Sequence, residues 1–188
     1  MDQRTMLYIV VAIVALAAIA IIAWLYWRQR RSKLLRERFG PEYHRVVQQQ
    51  GGQKKAEAVL EFRAKRRESL QILPLDRAQR GAFADRWTAI QSRFVDDPSG
   101  AVTDADLLIN EVMDARGYPM SDFDQRAADI SVDHPAVVDN YRLAHNIALR
   151  RKRGEAETED LRKAMVHYRA LFEDLLEYPV VNQKEKLA

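Results

Sequence analysis

Residues 6–27, MLYIVVAIVALAAIAIIAWLYW, constrain the chain more than any other feature, because 22 consecutive positions carry no charge. At about 1.5 Å of rise per residue the run spans roughly 33 Å as a helix, enough to cross a hydrocarbon core of about 30 Å. Tyr8 near one end, and Trp24, Tyr26 and Trp27 at the other, are amphipathic rings placed where a headgroup layer would lie. A cleaved signal peptide fits poorly. The run exceeds the usual apolar core of such a peptide, no A-x-A-like site follows, and it ends directly in RQRRSK. It reads as an uncleaved membrane anchor.

The flanks predict an orientation. Arg4 and Asp2 precede the span, whereas Arg28, Arg30, Arg31, Lys33, Arg36 and Arg38 follow it. Positive charge is retained on the cytoplasmic side. The amino terminus is therefore expected outside and residues 28–188 inside. The span holds no glycine and no pair of small residues four apart, so no dimerising face is signalled.

Charge divides the rest of the chain. Residues 28–75 hold 13 Lys/Arg against 5 Asp/Glu, and residues 76–188 hold 16 against 21. A basic arm beside the membrane would be drawn to anionic lipid headgroups, and the acidic body would be repelled. The arm reads as helix interrupted at Gly40-Pro41 and again at Gly51-Gly52. Val59, Phe62, Leu70 and Leu73 form a thin apolar stripe in its last segment, expected to be a solvated helix running to Leu73.

From Pro74 the pattern is that of a helical bundle. Phe83, Trp87, Ile90 and Phe94 recur at spacings of 4, 3 and 4, one helix face, which Pro98 and Gly100 are expected to end. TDADLLINEVMDARG predicts a second helix with Thr103 as cap and Gly117 as stop. Ser121 is the expected cap of a short helix through Ile130. A further helix is predicted from Pro135, capped by Ser131 or Asp133, with Val137, Tyr141, Ala144 and Ala148 buried. The last helix runs from about Thr158 to Leu176, burying Leu161, Met165, Tyr168, Phe172 and Leu175. The fold class is all-α: a short tail (1–5), a transmembrane helix (6–27), a basic helical arm (28–73), an acidic helical bundle (74–177) and a tail (178–188).

Chemistry is sparse. There is no cysteine, which removes disulfides, thiol catalysis and the commonest structural zinc sites. His44, His134, His145 and His167 form no H-x3-H or HExxH pair, and the acidic stretch lacks the offsets of a calcium loop. Neither a nucleophile elbow nor a glycine-rich phosphate loop is present. No catalytic, cofactor-binding or metal residue is therefore assigned, and no cofactor is expected. His145 is expected to make a structural hydrogen bond, and His134 to complete the turn before Pro135. A nucleic-acid partner is not favoured, because the basic arm has few aromatics and no recognised binding module.

RFGPEY at 38–43, RFVDDPSGAVTDAD at 93–106, VMDARGYP at 112–119 and FDQRAADISVDHPAVVDNYRLAH at 123–145 together resemble a family of bacterial single-pass membrane proteins. The resemblance covers most of residues 36–149. It implies a bacterial source and an anchored helical domain, and it brings no activity, cofactor or catalytic residue. Where the family pattern has Asp after RFGPEY this chain has His44, which weakens any role that would need imidazole there. The leading expectation is a membrane-anchored helical interaction or scaffold module. Its partners are the bilayer, anionic headgroups along the basic arm, and a protein of unspecified identity. The alternative is an enzyme or small-molecule-binding domain with a site assembled from distant carboxylates and histidines.

Overall fold

The computed structural model describes residues 3–177, with side chains from residue 13 onward; the tail 178–188 and the side chain of Tyr8 lie outside the described residues. Seven helices and no strands occur among them: α1 (Gln3–Gln50), α2 (Gln53–Glu68), α3 (Arg77–Arg93), α4 (Pro98–Ala115), α5 (Phe123–Ile130), α6 (Val138–Lys152) and α7 (Thr158–Glu177). The chain divides into two compact units, Met1–Arg38 and Phe39–Ala188.

The first unit is a single helix. Its residues 13–30 are all exposed, so no protein surface covers the apolar run from Ile13 onward. One helix of the described residues is long and apolar enough to cross a membrane. Arg28 lies over the Trp24 ring and Arg31 over Trp27, each about one turn on, at 5.5 and 5.4 Å. Such pairs hold the cations against the aromatic faces at the polar end of the run.

The second unit begins where α1 breaks. Gly40 takes φ 46 and ψ −123, a conformation that side chains exclude, and Pro41 starts the helix anew. No neighbour lies within 4 Å of a Cβ built there, so backbone conformation alone calls for glycine. The sequence reading starts the compact body at Pro74; the unit instead begins at Phe39 and takes in residues 39–73. Phe39, Tyr43 and Val46 are buried, as are Ala56, Leu60 and Ala64 of α2. The expected apolar stripe divides: Phe62 and Leu73 are 66% and 61% exposed, whereas Val59 is half-buried and Leu70 packs against the core. Two alanines flank the buried leucine, and small side chains allow close approach where bulky ones would hold the helix off.

Helix α2 also ends five residues early, at Glu68. Residues 69–76 form a link without regular secondary structure whose Ile72 and Leu75 enter the core and whose Leu73 N–H donates to the Arg116 carbonyl at 2.9 Å. The link packs against the end of α4. There Gly117 has φ 90, Tyr118 N–H donates to the Met113 carbonyl and Gly117 N–H to the Asp114 carbonyl, the Schellman closure of a helix. A Cβ on Gly117 would sit 2.4 Å from the Gln71 carbonyl oxygen, so both conformation and space require glycine.

Helices α3 to α7 form the bundle. Trp87 of α3 stacks on Phe172 of α7 with centroids 4.7 Å apart. Leu108, Ile109, Val112 and Met113 of α4 meet Tyr168, Leu171 and Leu175 of α7, and Tyr141 and Ala144 of α6 close the layer. Each large side chain buried this way contributes about 1.5–3 kcal/mol. The predicted faces of α3, α6 and α7 are the ones that face this core.

Three helix starts differ from the sequence reading. Pro98 opens α4 rather than ending α3, because Asp97 caps it by accepting from Gly100 N–H at 2.8 Å. Gly100 sits under that carboxylate, with no room for a Cβ, and Thr103 lies inside the helix. Asp122, not Ser121, caps α5, its carboxylate accepting from Gln125 N–H at 2.9 Å. Helix α6 begins at Val138 after a turn through Pro135, with no side-chain cap. Ser131 and Asp133 are engaged elsewhere.

Candidate functional site

What engages them is a buried network of charges that joins the RFGPEY block to the SVDHP block. Pro41 restarts the helix, and the first turn aims Glu42 inward, where it is fully buried. Its Oε1 accepts from Arg63 Nη1 of α2 at 2.8 Å and from Arg142 Nη2 of α6 at 2.7 Å. Its Oε2 accepts from Arg142 Nη1 at 2.7 Å, so Arg142 grips the carboxylate with both prongs. Arg142 also donates to Asp139, which accepts from Arg45 at 2.6 Å. Burial opposes the charge of Arg142, but the hydrogen bonds and charges of Glu42 and Asp139 outweigh it and raise its pKa.

Arg63, Arg66 and Arg67 extend this network along one edge of α2. Arg63 donates to Ser131 Oγ at 3.3 Å, and that hydroxyl donates onward to the Ala128 carbonyl. Arg66 Nε donates to Asp129 at 2.8 Å, and Gln125 donates to the same oxygen. Arg67 pairs with Asp133, whose Oδ2 also accepts from the Tyr118 hydroxyl at 2.8 Å. Burial, reinforced by the Asp133 charge, pushes the Tyr118 phenol well above its ordinary range. Arg116, 1% exposed, donates to the Leu175 carbonyl at 2.7 Å and so satisfies an end carbonyl of α7; burial lowers its pKa.

The histidines are dispersed. His134 Nδ1 meets Asp174 of α7, with the imidazole fully buried and the carboxylate 35% exposed. His145 lies flat against Phe123 with centroids 3.6 Å apart; the expected hydrogen bond is replaced by stacking, and burial lowers its pKa. His167 Nδ1 is 2.9 Å from the Asn140 side-chain oxygen, and burial lowers it too. His44 is exposed and meets the edge of Tyr43. His134 and His145 thus serve two separate places. No three His, Asp or Glu side chains among the described residues converge to hold a metal ion.

The network can hold charge and geometry. Glu42 has both oxygens occupied by guanidinium groups, and Asp129 and Asp133 each carry an arginine together with a second donor. Taking such charges out of water offsets much of their attraction, while loss of one partner leaves the other unpaired in the interior. The sequence reading missed Glu42, Arg63, Arg66, Arg67 and Arg142. A partial signal existed: Arg63, Arg66 and Arg67 recur at spacings of three and four, the spacing that lines side chains along a helix edge. Comparison of the chain with family models, curated proteins and solved structures finds no match.

Proposed function

We propose that the chain is a single-pass protein of a bacterial cell membrane, with its amino terminus outside and residues 28–188 in the cytoplasm. Its helical domain serves as an interaction or scaffold module that binds a protein partner at the membrane surface. The observation that carries this reading is the bare apolar helix. Ile13, Val14, Leu16, Ile19, Ile21 and Ile22 are 58–66% exposed, a surface that water does not tolerate and lipid does. The six bases at residues 28–38 support the orientation, and the resemblance of the RFGPEY and AADISVDHP blocks supports the bacterial source. On the domain, Leu107, Leu143 and Val166 stand 48–54% exposed on α4, α6 and α7, and such side chains suit a protein contact.

A reporter active only outside the cytoplasm, fused after Ala188, is expected to be silent in cells. Strong activity would reverse the orientation. A photo-crosslinking residue at Leu143 is expected to give a discrete protein adduct in cells; only lipid adducts at that position would remove the partner-binding role.

A further inference from the structure

Helix α2 has two opposed faces, and only one is used inside the domain. The inner face buries Ala56, Leu60 and Ala64 and commits Arg63 and Arg67 to acids of the network, and Arg66 on its flank is committed to Asp129. Those arginines are therefore withheld from outside partners, although they contribute to the net charge of the arm. At about 100° per residue, the directly opposite face carries Lys54, Lys55, Ala58, Phe62 and Lys65, all exposed. Glu57, Glu61 and Glu68 fall on the flank between the two faces. The outer face is thus three cations around one aromatic ring that is two-thirds uncovered.

We infer that this outer face of α2 docks on an anionic lipid surface, with Phe62 seated at the headgroup boundary and Lys54, Lys55 and Lys65 on lipid phosphates. The inference rests on the membrane anchoring proposed above, and it names which residues of the arm meet lipid. Charge complementarity carries it: long lysine stems and an aromatic ring match an interface that is apolar below and negative above. A bilayer is also within reach of any chain whose own helix inserts into one. An acidic protein would satisfy the lysines equally, and the test separates the two.

The chain has no cysteine, so Ala58→Cys presents a single thiol for a nitroxide label on the exposed face while leaving Phe62 in place. The full chain is reconstituted into vesicles of phosphatidylcholine with about one third phosphatidylglycerol, and into phosphatidylcholine alone; both leaflets match, so the direction of insertion is immaterial. In the anionic vesicles the label is expected to lose collisions with an aqueous nickel complex several-fold and to gain collisions with oxygen. Adding Lys54→Glu, Lys55→Glu and Lys65→Glu together, or Phe62→Glu alone, should return it to the water-exposed value. A label at Val95→Cys, 83% exposed beyond the end of α3, should remain in water throughout. Equal water exposure of the Ala58 label in both vesicle types, in protein that floats with the vesicles, overturns the docking and leaves the anchoring intact. Failure of the chain to float overturns both. Protection that arises only on adding an acidic polyglutamate peptide assigns the face to a protein and overturns the lipid assignment.

Discussion

At Glu42 a carboxylate is taken wholly out of water, and three hydrogen bonds from two arginines replace its hydration. Removing one member of such a group strands the rest, a larger effect than the group's net worth. Glu42→Ala should therefore destabilise the domain by about 3–5 kcal/mol, measured by denaturant unfolding in detergent. Glu173→Ala breaks a pair whose side chains are more than half exposed, and should change stability by no more than about 0.5 kcal/mol. His145 offers a different test. Burial lowers its pKa in the folded state, so the unfolded chain binds the proton more readily. Its contribution to stability is complete above the ordinary value of about 6.5 and is lost as pH falls from there towards the folded value. His167 acts with the same sign. Thermal unfolding should show a lower midpoint at pH 5 than at pH 7.5, and His145→Phe, which keeps a ring on Phe123, should reduce that difference.

Helix boundaries were set by which oxygen reached the open N–H groups. Ser121 and Asp122 are adjacent and both are good caps, so composition does not separate them. Asp122 lies in extended backbone with its carboxylate on Gln125 N–H, which leaves Ser121 one position too early. Asp122→Ala should cost about 1 kcal/mol and Ser121→Ala close to nothing, compared by the same unfolding measurement. Helix α3 repeats the logic with a full capping box, Asp76 and Gln79 each accepting from the other's backbone N–H. Asp133 had the same credentials at the entrance to α6. Arg67 and Tyr118 hold its carboxylate instead, and the turn through Pro135 delays the helix to Val138.

Over the whole molecule, one uncovered apolar helix joins a domain whose first turn is fastened to α2 and α6 through Glu42. Removing residues 6–27 should move the protein from a carbonate-resistant membrane fraction to a soluble or loosely bound one. The shortened chain should still show helical circular dichroism, because the contacts of Phe39–Ala188 as a unit remain. Retention in the carbonate-resistant fraction would show that something other than this helix anchors the chain.

Local features were legible without the fold. The apolar run, the break at Gly40-Pro41, the stop at Gly117 and the buried faces of α3, α6 and α7 all depend on residues within a few positions of one another. Periodicity and backbone conformation act over that range, and the all-α class follows from them. The charged network was not legible, because its partners lie far apart in the chain. Arg66 and Asp129 are separated by 63 positions, and Arg142 and Glu42 by 100. A run of arginines beside a membrane anchor looks the same whether it faces lipid or a buried carboxylate. Only packing decides, since the close approach of α2 at Ala56, Leu60 and Ala64 turns Arg63, Arg66 and Arg67 inward and leaves Lys54, Lys55 and Lys65 outside.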